Sequence, residues 1–184
     1  PKALSINSHF LRTLPIEEIA ESVKEEFITA GIWDPAYDRD KRQWFLSTLD
    51  LIRSRFHTFK DFADMGRAYF LEDFPVDPKA CKKNLLKHEE LKDWLPQLAD
   101  RLEGLQSWTL ESTEQVVRAF AEELGVKVGI IINAIRTVVT GQLAGPGIFE
   151  VLKAIGKDRV VKRLRGVREL FTRHQESSPQ SIKG

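Results

Sequence analysis

Residues 134–164 read AIRTVVTGQLAGPGIFEVLKAIGKDRVVKRL. An apolar helix bearing one arginine, Arg136, runs into the loop Gly141-Gln142-Leu143-Ala144-Gly145-Pro146-Gly147, followed by a short helix and then a basic one. From Val128 to Val139 the chain is almost continuously apolar apart from Gly129, Asn133, Arg136 and Thr137. Such a helix is covered on most sides, so the Arg136 guanidinium has few exits. Gly141 suits the left-handed position after a helix, and Gly145-Pro146-Gly147 lets backbone approach a ligand closely before Ile148 and Phe149 present apolar faces. A loop of this kind can hold an unstacked base. Taken alone it fits a plain helix–helix corner better, with Phe149 packed in the core.

Working outward, helical spacing dominates. Phe45, Leu49, Ile52 and Phe56 recur with a helical period, as do Val116, Phe120 and Leu124, and Val160, Leu164, Val167 and Phe171. Gly31, Gly125 and Gly156 follow helical runs, Pro35, Pro75 and Pro78 punctuate loops, and Thr109 or Ser112 can cap the helix that begins near Glu111. No segment alternates as a strand does. The fold expected is all-α, a two-lobed helical bundle, or α-helix cage, of about ten helices. The first lobe is expected over residues 1–104, including a helix at Lys87–Leu102 that Pro96 should kink or split. The second is expected over 105–174, with a disordered tail at 175–184.

Composition removes several function classes. Cys81 is the single cysteine of the 184 residues, which excludes an internal disulfide and any multi-cysteine zinc site. His9, His57, His88 and His174 have no metal-ligand spacing, so no metal is expected. No apolar run approaches the roughly 20 residues that cross a bilayer. No signal-peptide pattern opens the chain. A cytoplasmic protein without membrane association is expected. Net charge is +1 over the whole sequence, yet residues 127–173 hold ten basic side chains against three acidic ones. That asymmetry suits a face directed at phosphates, and equally an ordinary charged helix surface.

The opening stretch resembles the distal anticodon-binding region of bacterial glutamyl-tRNA synthetases. There the pattern is Arg, several apolar residues, Thr-Gly, a loop ending Pro-Gly-Leu-Phe-Glu, then Leu-Gly-Lys-Glu-Arg and Arg-Leu. Arg136, Thr140, Gly141, Pro146, Gly147, Phe149, Glu150, Gly156, Lys157, Arg159, Arg163 and Leu164 fit it, while Ile148 and Asp158 are mild departures. Lys2–Arg12 resembles the segment that follows the family's catalytic half, with Ser5 in place of its usual Trp. Arg53-Ser54-Arg55-Phe56-His57-Thr58-Phe59-Lys60-Asp61 resembles its Arg-x-Arg-x-x-Thr-(Leu/Phe)-x-(Glu/Asp) segment. Tyr69-Phe70 before a Pro-Val loop, Trp108-Thr109 and Gly125–Gly129 match as well, so the resemblance covers about Lys2–Leu170.

What the resemblance implies is recognition of an anticodon. Arg55 falls on the arginine that contacts the first anticodon base in discriminating enzymes, and Arg136 on one that helps read the third. Pro146, Ile148 and Phe149 fall on the loop enclosing the second and third bases, with Gly145, where a side chain is often found, offering backbone only. Lys153, Lys157, Arg159, Lys162 and Arg163 are candidates for phosphate contact, or for plain solvation and pairing with Asp158 or Glu150. The implied partner is tRNA(Glu), bound by a monomer. Neither a His-Ile-Gly-His-type nor a Lys-Met-Ser-Lys-Ser-type motif is present. The chain is therefore expected to be a non-catalytic piece of a glutamate–tRNA ligase, without a cofactor of its own, ATP belonging to an absent catalytic half. By residues alone, Arg55 reads more readily as an exposed helix-end arginine, and Trp33, Trp44, Trp94 and Trp108 as core. A helical protein-interaction domain is the rival function. An independent enzyme is remote, since Glu17/Glu18, Glu25/Glu26 and Glu89/Glu90 are adjacent pairs that cannot face one site.

Overall fold

The computed structural model describes residues 8–176. Lys2–Asn7 of the expected family segment Lys2–Arg12 and most of the expected tail, residues 177–184, lie outside that range; Gln175 and Glu176 still belong to the last helix. Among the described residues there are eleven α-helices and three single 3-10 turns, and no strand. They form two compact units that meet in sequence at Pro75 and Val76.

The first unit holds α1 (Ser8–Thr13), α2 (Ile16–Thr29), α3 (Arg42–Ile52) and α4 (Lys60–Asp64), with 3-10 turns at Pro35–Asp38, Arg53–Arg55 and Arg67–Tyr69. Its α2 presents Ile19, Ala20, Val23 and Phe27 to the core, and α3 presents Phe45, Leu49 and Ile52. Phe45 is the hub of an aromatic cluster. It stacks on Tyr37 with ring centres 4.8 Å apart and meets Phe27, Trp33 and Phe70 edge-on. Trp33 and Trp44, expected in the core, are half-buried at its margin, packed against Tyr37.

The second unit holds α5 (Pro78–Asn84), α6 (Leu91–Glu103), α7 (Leu110–Leu124), α8 (Val128–Thr140), α9 (Ile148–Ile155), α10 (Lys157–Arg165) and α11 (Val167–Glu176). The expected lobe boundary at Gly104 is thus corrected to Pro75. The reason is packing: α6 lies against α10, α7 and α11, burying Leu91, Leu95, Leu98 and Leu102 completely. Pro96 sits inside α6 without splitting it. An interior proline costs about 3 kcal/mol, and each buried leucine returns about 1.5–3 kcal/mol. Four such leucines hold the helix together. It begins at Leu91, not at Lys87.

Of the two caps expected from sequence, Thr109 is the N-cap of α7, and Ser112 joins it in a reciprocal capping box. Thr109 Oγ1 accepts from the Ser112 amide and Ser112 Oγ from the Thr109 amide, each at 3.0 Å. The buried face of α7 is Thr113, Val117, Phe120 and Ala121, one position round from the expected Val116 and Leu124. Gly156, at φ 92°, closes α9 and opens α10 in a conformation that suits glycine alone. The α9–α10 corner rests on that residue.

Cys81 on α5 is completely buried. Burial pushes its thiol up to about 11, with Asp77 adding to the rise. The folded state therefore holds the proton more tightly than the unfolded chain, whose value is 9.0. The stability this contributes is full below pH 9 and is lost as pH rises toward 11. A disulfide reagent at neutral pH is expected to modify Cys81 at least about a thousandfold more slowly in the native protein than in denaturant, because reaction needs an opening of several kcal/mol. Equal rates would place the thiol at the surface.

Candidate nucleic-acid interface

The site is built on the end of α8. Gly141 takes the left-handed conformation there, φ 72°, and turns the chain out of the helix. Several hydrogen bonds then fix the loop. Thr140 Oγ1 donates to the Arg136 carbonyl at 2.7 Å and accepts from the Gln142 amide at 3.1 Å. The Asp77 amide donates to the Gly141 carbonyl at 2.8 Å, while the Asp77 carboxylate caps α5 at the Lys79 amide. Arg136 leaves α8 toward the far side of the loop, where its Nη1 donates to the Pro146 carbonyl at 2.6 Å.

The loop therefore assembles Arg136, Gly145, Pro146, Ile148 and Phe149, all within the second unit. Leu143, Ala144 and Gly147 are exposed along it, and Phe149 is half-buried. Ile148 is only 4% exposed, so its side chain floors the loop from within the core. Apolar α9 explains this, since Ile148, Val151, Leu152 and Ile155 form its buried stripe.

Two expected phosphate contacts turn donors inward. Lys157 Nζ donates to the Leu105 carbonyl at 2.7 Å, and Arg163 Nη1 to the Val139 carbonyl at 2.7 Å in the last turn of α8. Trp108 Nε1 donates to the Leu152 carbonyl at 2.8 Å, so the connector before α7 is tied to α9 and α10 at two points. Lys153 and Lys162 are exposed and Arg159 half-buried.

Two arginines of the stretch 127–173 are answered by acids on α6, and a third by Glu169 within the stretch itself. Arg165 forks between Asp100 at 2.8 Å and Glu103 at 2.9 Å, Arg168 pairs with Asp93, and Arg173 with Glu169. The Arg165 hydrogen bond holds the Glu103 carboxyl below the usual range. Charge counting along the sequence cannot see this. A positive stretch is a phosphate surface only where no carboxylate reaches it.

Arg55 belongs to the first unit, on the 3-10 turn that continues α3. It is exposed, and its guanidinium makes no hydrogen bond or ion pair among the described residues. Arg53, two residues earlier, is the opposite. Its side chain is 11% exposed, its Nε donates to the Leu11 carbonyl at 2.7 Å, its Nη2 to the Leu14 carbonyl, and its Nη1 pairs with Asp50. The turn is held downstream by Asp61, whose carboxylate accepts from the His57 and Thr58 amides while Thr58 Oγ1 accepts from the Asp61 amide. Phe56 anchors it, edge-on to Phe62 at 4.9 Å. Arg53 escapes a motif reading because nothing in Arg-x-Arg says which arginine turns inward.

Comparison with known proteins follows the same outline. The chain is 51% identical over 171 residues to a glutamate–tRNA ligase of Desulfotalea psychrophila, an alignment covering 93% of this chain and 35% of that protein. It is 37% identical over 161 residues to one from Thermus thermophilus, covering 86% of this chain and 32% of the other. The chain thus spans about a third of the length of the curated relatives it matches. Its fold matches a crystallised glutamate tRNA ligase of Elizabethkingia meningosepticum with a TM-score of 0.73 at 21% identity, over 89% of this chain and 31% of that one. A family model for the anticodon binding domain matches residues 18–168, from the first turns of α2 to the start of α11, taking in both the exposed Arg55 and the pinned loop. This chain belongs to the anticodon binding domain family.

Proposed function

We propose that the chain is the anticodon-binding region of a discriminating glutamate–tRNA ligase, engaging tRNA(Glu) for glutamylation by a catalytic half that uses ATP. The observation that carries this reading is the loop at residues 141–147. It exposes apolar and backbone surface beside an arginine, on a helical scaffold whose family binds anticodons. An anticodon is single-stranded, and splayed bases are read by their edges and stacked on side chains. Arg136, Gly145, Pro146 and Phe149 supply such contacts for the second and third bases, with Ile148 supporting them from below. Arg55 reads the first base, where a planar guanidinium offers paired donors to a base with paired acceptors. Exposed Lys153 and Lys162, with Arg159, are the cations best placed to meet phosphates.

The test is a titration of labelled tRNA(Glu) with this chain at 50 mM and 200 mM salt. Three neutralised phosphates lower affinity by about 20- to 40-fold between those conditions. Absence of binding at low salt, or equal affinity at both, sinks the proposal and favours a protein partner instead.

A further inference from the structure

Resting on that reading, we propose that Arg136 is also the positioning residue of its own loop, latching residues 141–147 into shape before any nucleic acid arrives. The geometry is direct. Arg136 is half-buried on an apolar helix and spends Nη1 on the Pro146 carbonyl, ten residues on, at 2.6 Å. A charged donor to a carbonyl is among the stronger hydrogen bonds a protein forms. It closes the loop at its far end, as Thr140 and Asp77 close it at its near end through Gln142 and Gly141.

Gly145 provides the seat. The glycines with positive φ are Gly31, Gly125, Gly141 and Gly156, so backbone conformation does not ask for glycine at 145. A Cβ there would lie 3.0 Å from Arg136 Nη1, a tight contact that the guanidinium would have to relieve by shifting a few tenths of an ångström. The missing side chain leaves the arginine flush against the loop backbone. Its carbonyl bond also fixes the plane and direction of the guanidinium that a base would meet. A base reader of this kind arrives pre-oriented, which lowers the ordering cost of binding.

The latch predicts a property of the free protein, which base reading alone does not. Amide hydrogen exchange is compared in the complete chain for wild type, Arg136→Gln and Arg136→Lys, without tRNA and then with it. Gln is too short to reach the Pro146 carbonyl from α8, and exchange over residues 142–149 is expected to rise about tenfold or more. Lys keeps one long charged donor and should recover part of the protection. Amides of α7 serve as the control for global folding and should not change. Unchanged loop exchange in Arg136→Gln overturns the latch, even if tRNA affinity falls, because Arg136 would then act on the base alone. Exchange that rises in the loop and in α7 together also overturns it, since Arg136 would then support the whole unit. Faster loop exchange with undiminished tRNA affinity keeps the latch and counts instead against the loop as the tRNA site.

Discussion

Phe45→Ala is expected to destabilise the first unit by about 3–5 kcal/mol. Phe45 is fully buried, and its ring touches Tyr37, Phe27, Trp33 and Phe70 at centroid distances from 4.8 to 6.1 Å. Alanine leaves a cavity that four large rings, each held by its own neighbours, cannot close without moving. Domain stabilities of about 5–15 kcal/mol make that loss a large share of the total. Because two compact units need not melt together, hydrogen exchange resolved by helix is the proper measurement rather than one melting temperature. Amides of α2 and α3 should lose protection. A cost below about 1.5 kcal/mol would mean the cluster collapses into the gap and is not rigidly packed.

Arg53→Ala and Arg55→Ala, two positions apart, should behave in opposite ways. Removing Arg53 strips a charged donor from the carbonyls of Leu11 and Leu14, and about 2–4 kcal/mol of stability should go with it. Both carbonyls stand at the C-terminal end of α1, where a cation is favourable, so the docking of α1 should weaken first. Arg55→Ala should shift stability by no more than about 0.5 kcal/mol, as an exposed side chain without partners among the described residues allows. Its proposed role lies in recognition. In the complete ligase, Arg55→Gln should reduce the penalty against tRNA(Glu) carrying guanine, rather than cytosine or uracil, at the first anticodon base. Equal losses for all three tRNAs would make Arg55 a phosphate contact or a bystander.

Helical content was readable because periodic apolar residues report burial directly. Phe45, Leu49, Ile52 and Phe56 are all buried as their spacing requires, and so are Val160, Leu164, Val167 and Phe171. The partner of a buried stripe is another matter. The leucines of α6 announce an apolar face, yet that they meet α10, more than fifty residues downstream, is a long-range fact that no local period contains. This is why the unit boundary falls at Pro75 and not after Gly104. At the site, Arg136 and its loop were legible as a constellation, because few chains place an arginine, a Thr-Gly stop and a Gly-Pro-Gly run in that order. Where each cation points was not. Lys157 and Arg163 find backbone carbonyls and Arg165 finds Asp100 and Glu103, choices settled by which acceptors the fold brings within reach.

The pairing of Arg165, Arg168 and Arg173 with carboxylates of their own unit bears on how an encounter with a polyanion proceeds in time. Neighbouring charges of opposite sign make short-range multipoles whose field fades within a few ångströms, and net charge is only +1. At physiological ionic strength, screening over about 8 Å removes most of what remains. Long-range attraction then contributes little to capture, and collisions in most orientations end without commitment. For the proposed tRNA partner, association would then be left to random diffusion and correct orientation, and the lifetime of the docked state would carry the discrimination.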